Sequence, residues 1–257
     1  MTKIVDFHTH PFLDDFSNIC AHKNIIKMNW EQITPTFQGM GIEKICGSVI
    51  RTQKGEPVWQ NILACNDMAL ELRSRLGEFY YPGFHIHPAY ISESLEEMKR
   101  FAEKGFRLVG ELVPYFHEWS DYSCKEYDYL LDACQEYGMV VNMHSMDPDQ
   151  MDKMVEKHKK LKIVMAHPGE LDLYVRHLKR MDMSENYYLD LSGTGLFRHA
   201  MLARGIAEHG AERFLFGSDY PTCNPAMFVG GVLLDDLISP EDKEKILYTN
   251  AKKLLGL

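Results

Sequence analysis

The chain has 257 residues, of which 45% are hydrophobic and 25% charged, and its formal net charge is −9. The apolar share is enough for a sizeable core and excludes disorder as an overall description. The acidic balance argues against a nucleic-acid partner, since neutralising phosphates takes a basic face.

The opening Met1-Thr2-Lys3-Ile4-Val5-Asp6 has neither a basic n-region nor an apolar h-region, so no signal peptide is expected. No apolar run approaches the roughly 18 residues of a membrane span. The six cysteines (Cys20, Cys46, Cys65, Cys124, Cys134 and Cys223) form no Cys-x-x-Cys pair, and they read as reduced thiols of a cytoplasmic protein.

Short β-rich runs then alternate with helical patterns. The runs are Ile4–His8, Lys44–Ile50, Tyr81–His85, Arg107–Leu112, Met139–His144, Lys162–His167, Tyr188–Ser192 and Arg213–Asp219. Between them lie Val58–Leu76, Leu95–Lys104, Lys125–Tyr137, Gln150–His158, Leu171–Met181 and Phe197–His209, and Pro240–Leu257 reads as a terminal helix packed on the fold. Gly105, Gly138 and Gly210 each follow a helical pattern, as left-handed caps do. Strands alternating with helices imply parallel strands and crossovers. Eight such units in one chain of this length predict a single (β/α)8 TIM barrel over residues 1–257. The open doubly wound alternative lacks its Gly-x-Gly-x-x-Gly phosphate turn.

Functional residues of such a barrel sit where strands end. The first run ends Asp6-Phe7-His8-Thr9-His10-Pro11, and residues two apart on a strand share a side. The fourth run ends at Gly110-Glu111-Leu112, the fifth at His144, the sixth at His167 and the eighth at Gly217-Ser218-Asp219-Tyr220-Pro221. A lone His-x-His is more often a surface or hydrogen-bonded pair, and a single Asp before Tyr-Pro is as often a turn former. Chance accounts much less well for imidazoles and carboxylates together at five strand ends, a donor set that suits zinc, manganese, iron or nickel. His8, His10, Glu111, His144, His167 and Asp219 are therefore the expected ligands of a divalent metal, zinc for choice, with one or two ions per chain.

Three further residues are candidates for substrate contact. Arg51 follows the second strand as a carboxylate or phosphate clamp, or equally as a surface residue. His87 belongs to a second His-x-His with His85, expected to send one ring into the pocket. Tyr115 lies in the aromatic loop Pro114–Trp119, which walls the pocket or packs over the barrel edge. Ser192 and Thr194 end the seventh run as hydrogen-bond donors. His158, His177, His199 and His209 fall in helical patterns and are expected on the outer surface.

The opening Asp6-Phe7-His8-Thr9-His10, the His144 and His167 strand ends, Phe216-Gly217-Ser218-Asp219-Tyr220-Pro221 and the closing Asn250-Ala251-Lys252-Lys253-Leu254-Leu255-Gly256-Leu257 together resemble the amidohydrolase superfamily, in particular its amidohydrolase-2 branch. The resemblance implies that His8, His10 and Asp219 bind the more buried metal, and His144 and His167 a second. In single-metal relatives the fifth-strand His joins the first metal, which frees the sixth-strand His to activate water; both roles stay open for His167, and Asp219 and His167 are the catalytic residues that the resemblance implies. Many members bridge two metals with a carboxylated lysine on the fourth strand. This chain has Glu111 there instead, which is similar to TatD-type deoxyribonucleases.

The function so implied is hydrolysis of a C–O or C–N bond in a small-molecule lactone, ester or amide by metal-activated water. A TatD-like phosphodiesterase acting on DNA is one alternative, and a single-metal nonoxidative decarboxylase with a substrate-facing Arg is another. A barrel that merely senses metal is disfavoured, since the donor set leaves positions for water. A homo-oligomer of even number is the base-rate expectation.

Overall fold

The computed structural model describes residues 3–13, 28–51 and 55–257. Eight parallel strands neighbour one another in chain order: β1 Ile4–Asp6, β2 Ile42–Gly47, β3 Tyr80–Phe84, β4 Leu108–Leu112, β5 Val140–Met143, β6 Lys162–Met165, β7 Tyr187–Asp190 and β8 Phe214–Leu215. Backbone bonds close the ring between its ends. The Phe7 N–H donates to the Phe216 carbonyl at 2.9 Å, the Asp219 N–H to His8 at 2.9 Å and the His10 N–H to Tyr220 at 2.6 Å. The eighth run thus reaches Asp219 as expected, although only its first part is regular sheet.

Helices α1 Ile33–Gln38, α2 Val58–Leu76, α3 Ile91–Glu103, α4 Lys125–Glu136, α5 Pro148–Lys157, α6 Leu171–Met183 and α7 Met201–His209 lie between the strands, and α8 Pro225–Leu233 follows the last. Gly105, Gly138 and Gly210 all have positive φ after α3, α4 and α7, as their positions in the sequence predict. Three helix starts differ from expectation. Helix α5 begins at Pro148 rather than Gln150, where the Asp147 side chain accepts from the Asp149 and Gln150 N–H groups. Helix α3 begins earlier because Ser94 in its first turn exchanges hydrogen bonds with the His87 backbone. Helix α7 begins later than Phe197 because Ala200 is left-handed at φ 64°, which breaks the helical path and leaves Phe197 69% exposed.

Two apolar clusters follow from strand alternation. The outer one joins Ile45, Phe84, Val109, Val141, Ile163 and Leu189 of the strands to Leu72, Met98, Phe101, Leu131, Met154 and Leu178 of the helices. The inner one takes a buried residue from every strand but β7, whose half-buried Tyr188 packs against it, and includes Val5, Leu108, Val140, Val164 and Leu215. These five lie three or four residues upstream of His8, Glu111, His144, His167 and Asp219, so the inner core is the floor beneath the site. The tail resolves into α9 Pro240–Glu244, a π-helical turn and α10 Asn250–Leu255, and Ala251 and Leu255 join the inner cluster. That completes the packing expected for Pro240–Leu257.

Cys20 lies outside the described residues, and the other five cysteines are free thiols. Among the described residues no helix is long and apolar enough to cross a membrane.

Candidate metal centre

The barrel brings His8, His10, Glu111, His144, His167 and Asp219 to one place. The Nε2 atoms of His8 and His10 are 3.1 Å apart. Oε2 of Glu111 lies 3.4 and 3.3 Å from those two nitrogens, and Oδ1 of Asp219 lies 3.9 and 3.5 Å from them. The other oxygen of Glu111, Oε1, is 3.0 Å from Nδ1 of His144 and 3.4 Å from Nε2 of His167. One carboxylate therefore divides four imidazoles into two pairs.

The far nitrogens of the first pair are spoken for. Nδ1 of His10 is 2.9 Å from the Ser48 carbonyl, which only accepts, so this nitrogen carries the proton. Nδ1 of His8 donates to Oδ2 of Asp190 at 2.9 Å. Both Nε2 atoms then direct lone pairs at one another and at carboxylate oxygens, an arrangement that repels itself unless a cation lies between. Ligands about 2.0–2.2 Å from one ion lie roughly 3.0–3.5 Å from each other. Most of the spacings around His8 and His10 fall in that range, so the residues fit a divalent metal.

His8, His10, Glu111 and Asp190 are buried. Burial pushes His8 down, yet the Asp190 and Glu111 carboxylates outweigh it and hold the ring well above its ordinary value. Burial pushes Glu111 up, and the surrounding histidines reverse that and hold it well below the carboxylate range. For Asp219 burial prevails over the nearby His8, His10 and His167, and its pKa is raised.

The backbone is strained where two of these residues sit. His167 and Asp219 are left-handed at φ 67° and 60°, a conformation rare outside glycine. Two glycines make room for the rings. A Cβ on Gly217 would meet His8 Cβ at 2.8 Å, and one on Gly193 (φ 61°) would meet His167 Nδ1 at 2.3 Å.

A cavity of about 360 Å³ opens over the site. His10, Glu111, His144, His167 and Asp219 line it, with Ile50, Val113, Tyr115, Phe116, Thr194, Thr222 and Cys223 around them. Tyr115 also stands edge-on to His144 with ring centroids 5.5 Å apart, so the aromatic loop does wall the pocket.

Arg51 and His87 are not among the described lining residues. Arg51 is half-buried and follows Ile50, which does line the cavity. Neither ring of the second His-x-His enters the cavity. The protein uses both nitrogens of His87: Nε2 donates to the His117 carbonyl at 2.8 Å and Nδ1 accepts from the Ala89 N–H at 3.0 Å. His85 Nε2 donates to the Val49 carbonyl at 2.7 Å. Two of the four helical histidines also differ from expectation. His158 and His177 are buried, because Asp128 and the Tyr187 hydroxyl take them inward, whereas His199 is exposed.

The residue that sequence reasoning missed is Asp190. It bonds His8 Nδ1, accepts from the Asn142 amide at 3.0 Å and from the Ser192 hydroxyl, and Ser192 Oγ in turn lies 3.0 Å from His167 Nδ1. An acidic residue set between Leu189 and Leu191 at the end of an apolar strand was the available signal. His8, His167 and Asp190 also form a compact ligand-type group. Asp190 faces the ring edge of His8 away from His10 and Glu111, however, so it orients that ring and leaves Nε2 as the atom that could coordinate.

A family model described as amidohydrolase matches residues 5–257. No curated protein matches the sequence. Solved structures share the fold at low identity. An uncharacterised TIM-barrel protein from Bordetella bronchiseptica matches over 99% of this chain and 98% of its own, with a TM-score of 0.76 and 20% identity. A dihydroxybenzoic acid decarboxylase from Polaromonas sp., solved with manganese and the inhibitor 2-nitroresorcinol, matches over 100% and 98% with a TM-score of 0.71 and 15% identity. A probable 2-pyrone-4,6-dicarboxylic acid hydrolase from Acinetobacter baumannii, with citric acid bound, matches over 100% of both chains with a TM-score of 0.69 and 10% identity.

Proposed function

The chain belongs to the amidohydrolase family, and on that premise we propose that it is a metal-dependent hydrolase with two divalent ions, acting on a C–O or C–N bond of a small lactone, ester or amide. Both hydrolysis and decarboxylation occur among the structural relatives. What carries the hydrolytic reading is Glu111, whose two oxygens each face a separate histidine pair. A carboxylate so disposed suits a bridge between two ions, and paired ions suit hydrolysis. A decarboxylase would instead hold an anionic substrate, for which a cationic side chain is the natural clamp. The described residues lining the cavity include neither Lys nor Arg.

In this reading His8, His10 and Asp219 would hold one ion and His144 and His167 the other, with Glu111 placed to serve both. Divalent ions supply Lewis-acid polarisation and lower the pKa of water towards about 7. Asp219 Oδ accepts a proton from the attacking water and returns it to the leaving group. Asp190 holds the His8 ring by its far nitrogen, and Ser192 does the same for His167. Tyr115 and Phe116 line the cavity and would flank the reacting bond.

Elemental analysis of the purified protein, followed by a panel of lactones, esters and amides with a hydroxybenzoate as the decarboxylase probe, tests this. Two ions per chain and turnover of an ester, lactone or amide are expected. One ion per chain with release of carbon dioxide from the hydroxybenzoate would overturn it.

A further inference from the structure

A second, apolar hollow of about 130 Å³ is lined by Gly193, Leu196, Phe197, Met227, Phe228 and Gly231. Gly193 also lines the cavity over the metal ligands, so the two spaces meet at this residue. It is the glycine held against the His167 ring, where a side chain would close the passage. The loop after β7 and helix α8 supply the walls. Phe197 and Met227 stand at the rim 69% and 72% exposed, large apolar side chains left in water beside a catalytic centre. Helix α8 carries Gly230-Gly231 at its middle, and Gly231 faces Leu196 across the hollow. Among the described residues the lining of both spaces holds no Lys or Arg, and the Arg198 guanidinium over the Phe197 ring at the rim is paired with Glu170.

We propose that the substrate carries an extended apolar arm, an alkyl or aryl chain attached to the scissile ester, lactone or amide, that leaves the metal centre past Gly193 and lies between Phe197 and helix α8. This rests on the metal-dependent reading above and adds the class of substrate. The arm is matched to its groove by continuity with the reacting cavity and by apolar walls. It also covers Phe197 and Met227, which stay largely exposed although the Arg198 guanidinium lies 5.5 Å from the Phe197 ring centroid.

The test is calorimetric binding of straight-chain hydroxamates to the zinc-loaded protein, since the hydroxamate head chelates metal and the tail reports on the groove. Each buried methylene is worth about fourfold in affinity. Octanohydroxamate is expected to bind at least roughly 20-fold more tightly than acetohydroxamate, from the burial of a few methylenes. Met227→Glu, which puts a charge at the rim, and Gly231→Leu, which fills the hollow, each bring that ratio towards one. Gly230→Ala keeps it, because the added Cβ meets nothing within 4 Å.

Equal affinities of the two hydroxamates for wild type would overturn the apolar arm and leave the metal centre standing. Failure of both to bind would remove the metal-dependent reading and the arm with it. Sedimentation distinguishes a second occupant: a wild-type oligomer that Met227→Glu dissociates, with no chain-length gain, would assign the groove to another copy of this chain and overturn the proposal.

Discussion

Nδ1 of His8 and Oδ2 of Asp190 are 2.9 Å apart, both fully buried, and the bond spans the barrel from β7 to the end of β1. It fixes the tautomer of His8 and aims Nε2 at the space shared with His10. Partners of this kind typically carry about 10–100-fold in metal affinity. Asp190→Asn is expected to weaken zinc binding by about that factor in competition with a chromogenic chelator, with the far-ultraviolet dichroism retained. Unchanged affinity would show that the ring is oriented by packing alone.

Removing the metal should be felt in stability. Glu111, His8 and His10 are buried within hydrogen-bond range of one another, so a bound ion relieves both lone-pair and carboxylate crowding. A ligand at about one hundred times its Kd adds about 2.7 kcal/mol to a native state it alone binds. For a chain of this size that corresponds to roughly 5–10 °C in Tm. Scanning calorimetry in zinc and in a chelator should differ by that amount, and superposable transitions would count against any metal centre here.

Asp219→Asn separates ligation from proton transfer. The amide keeps an oxygen near His8 and His10 but loses the basic one. kcat at saturating metal is expected to fall by about 10²–10⁴-fold while the ion content per chain stays close to wild type. A variant that retains kcat would remove Asp219 from the proton path.

His177 gives a prediction in pH. Burial, helped by Arg180, pushes its pKa down to about 3, against about 6.5 for an unfolded histidine. The folded state thus binds the proton less readily than the unfolded chain. The sign follows: stability is intact above pH about 6.5 and is lost as pH falls from there towards 3. Each pH unit in that window costs about 1.4 kcal/mol. Urea unfolding of wild type and His177→Gln between pH 6 and 4 should show a shallower fall for the variant by about that slope, whatever its offset at pH 7.5. Parallel curves would mean that the ring protonates in the folded state.

Much of the candidate metal site was legible in the sequence. His8 and His10 share a side because strand periodicity is two, and Glu111, His144, His167 and Asp219 were marked by falling at the ends of apolar runs that end together in a barrel. The eight strands and the glycine caps after α3, α4 and α7 followed from local patterns in the same way. Local patterns say where a side chain leaves the backbone, and for strand ends that is nearly enough.

They do not say what a side chain meets. His87 has the same His-x-His spacing as His10, yet its ring is taken by the N–H of Ala89 in its own loop and by the His117 carbonyl, brought there by the loop after β4. Asp190 looked like one more strand residue until closure of the barrel set it against His8, 182 positions away. The two oxygens of Glu111, the left-handed turns at His167 and Asp219 and the passage at Gly193 depend likewise on distances between segments remote in sequence. Periodicity along the chain determined which residues point to the barrel mouth. Only closure of the ring decided their partners, since hydrogen bonds and metal ligation act over about 2–3.5 Å in space and are blind to sequence separation.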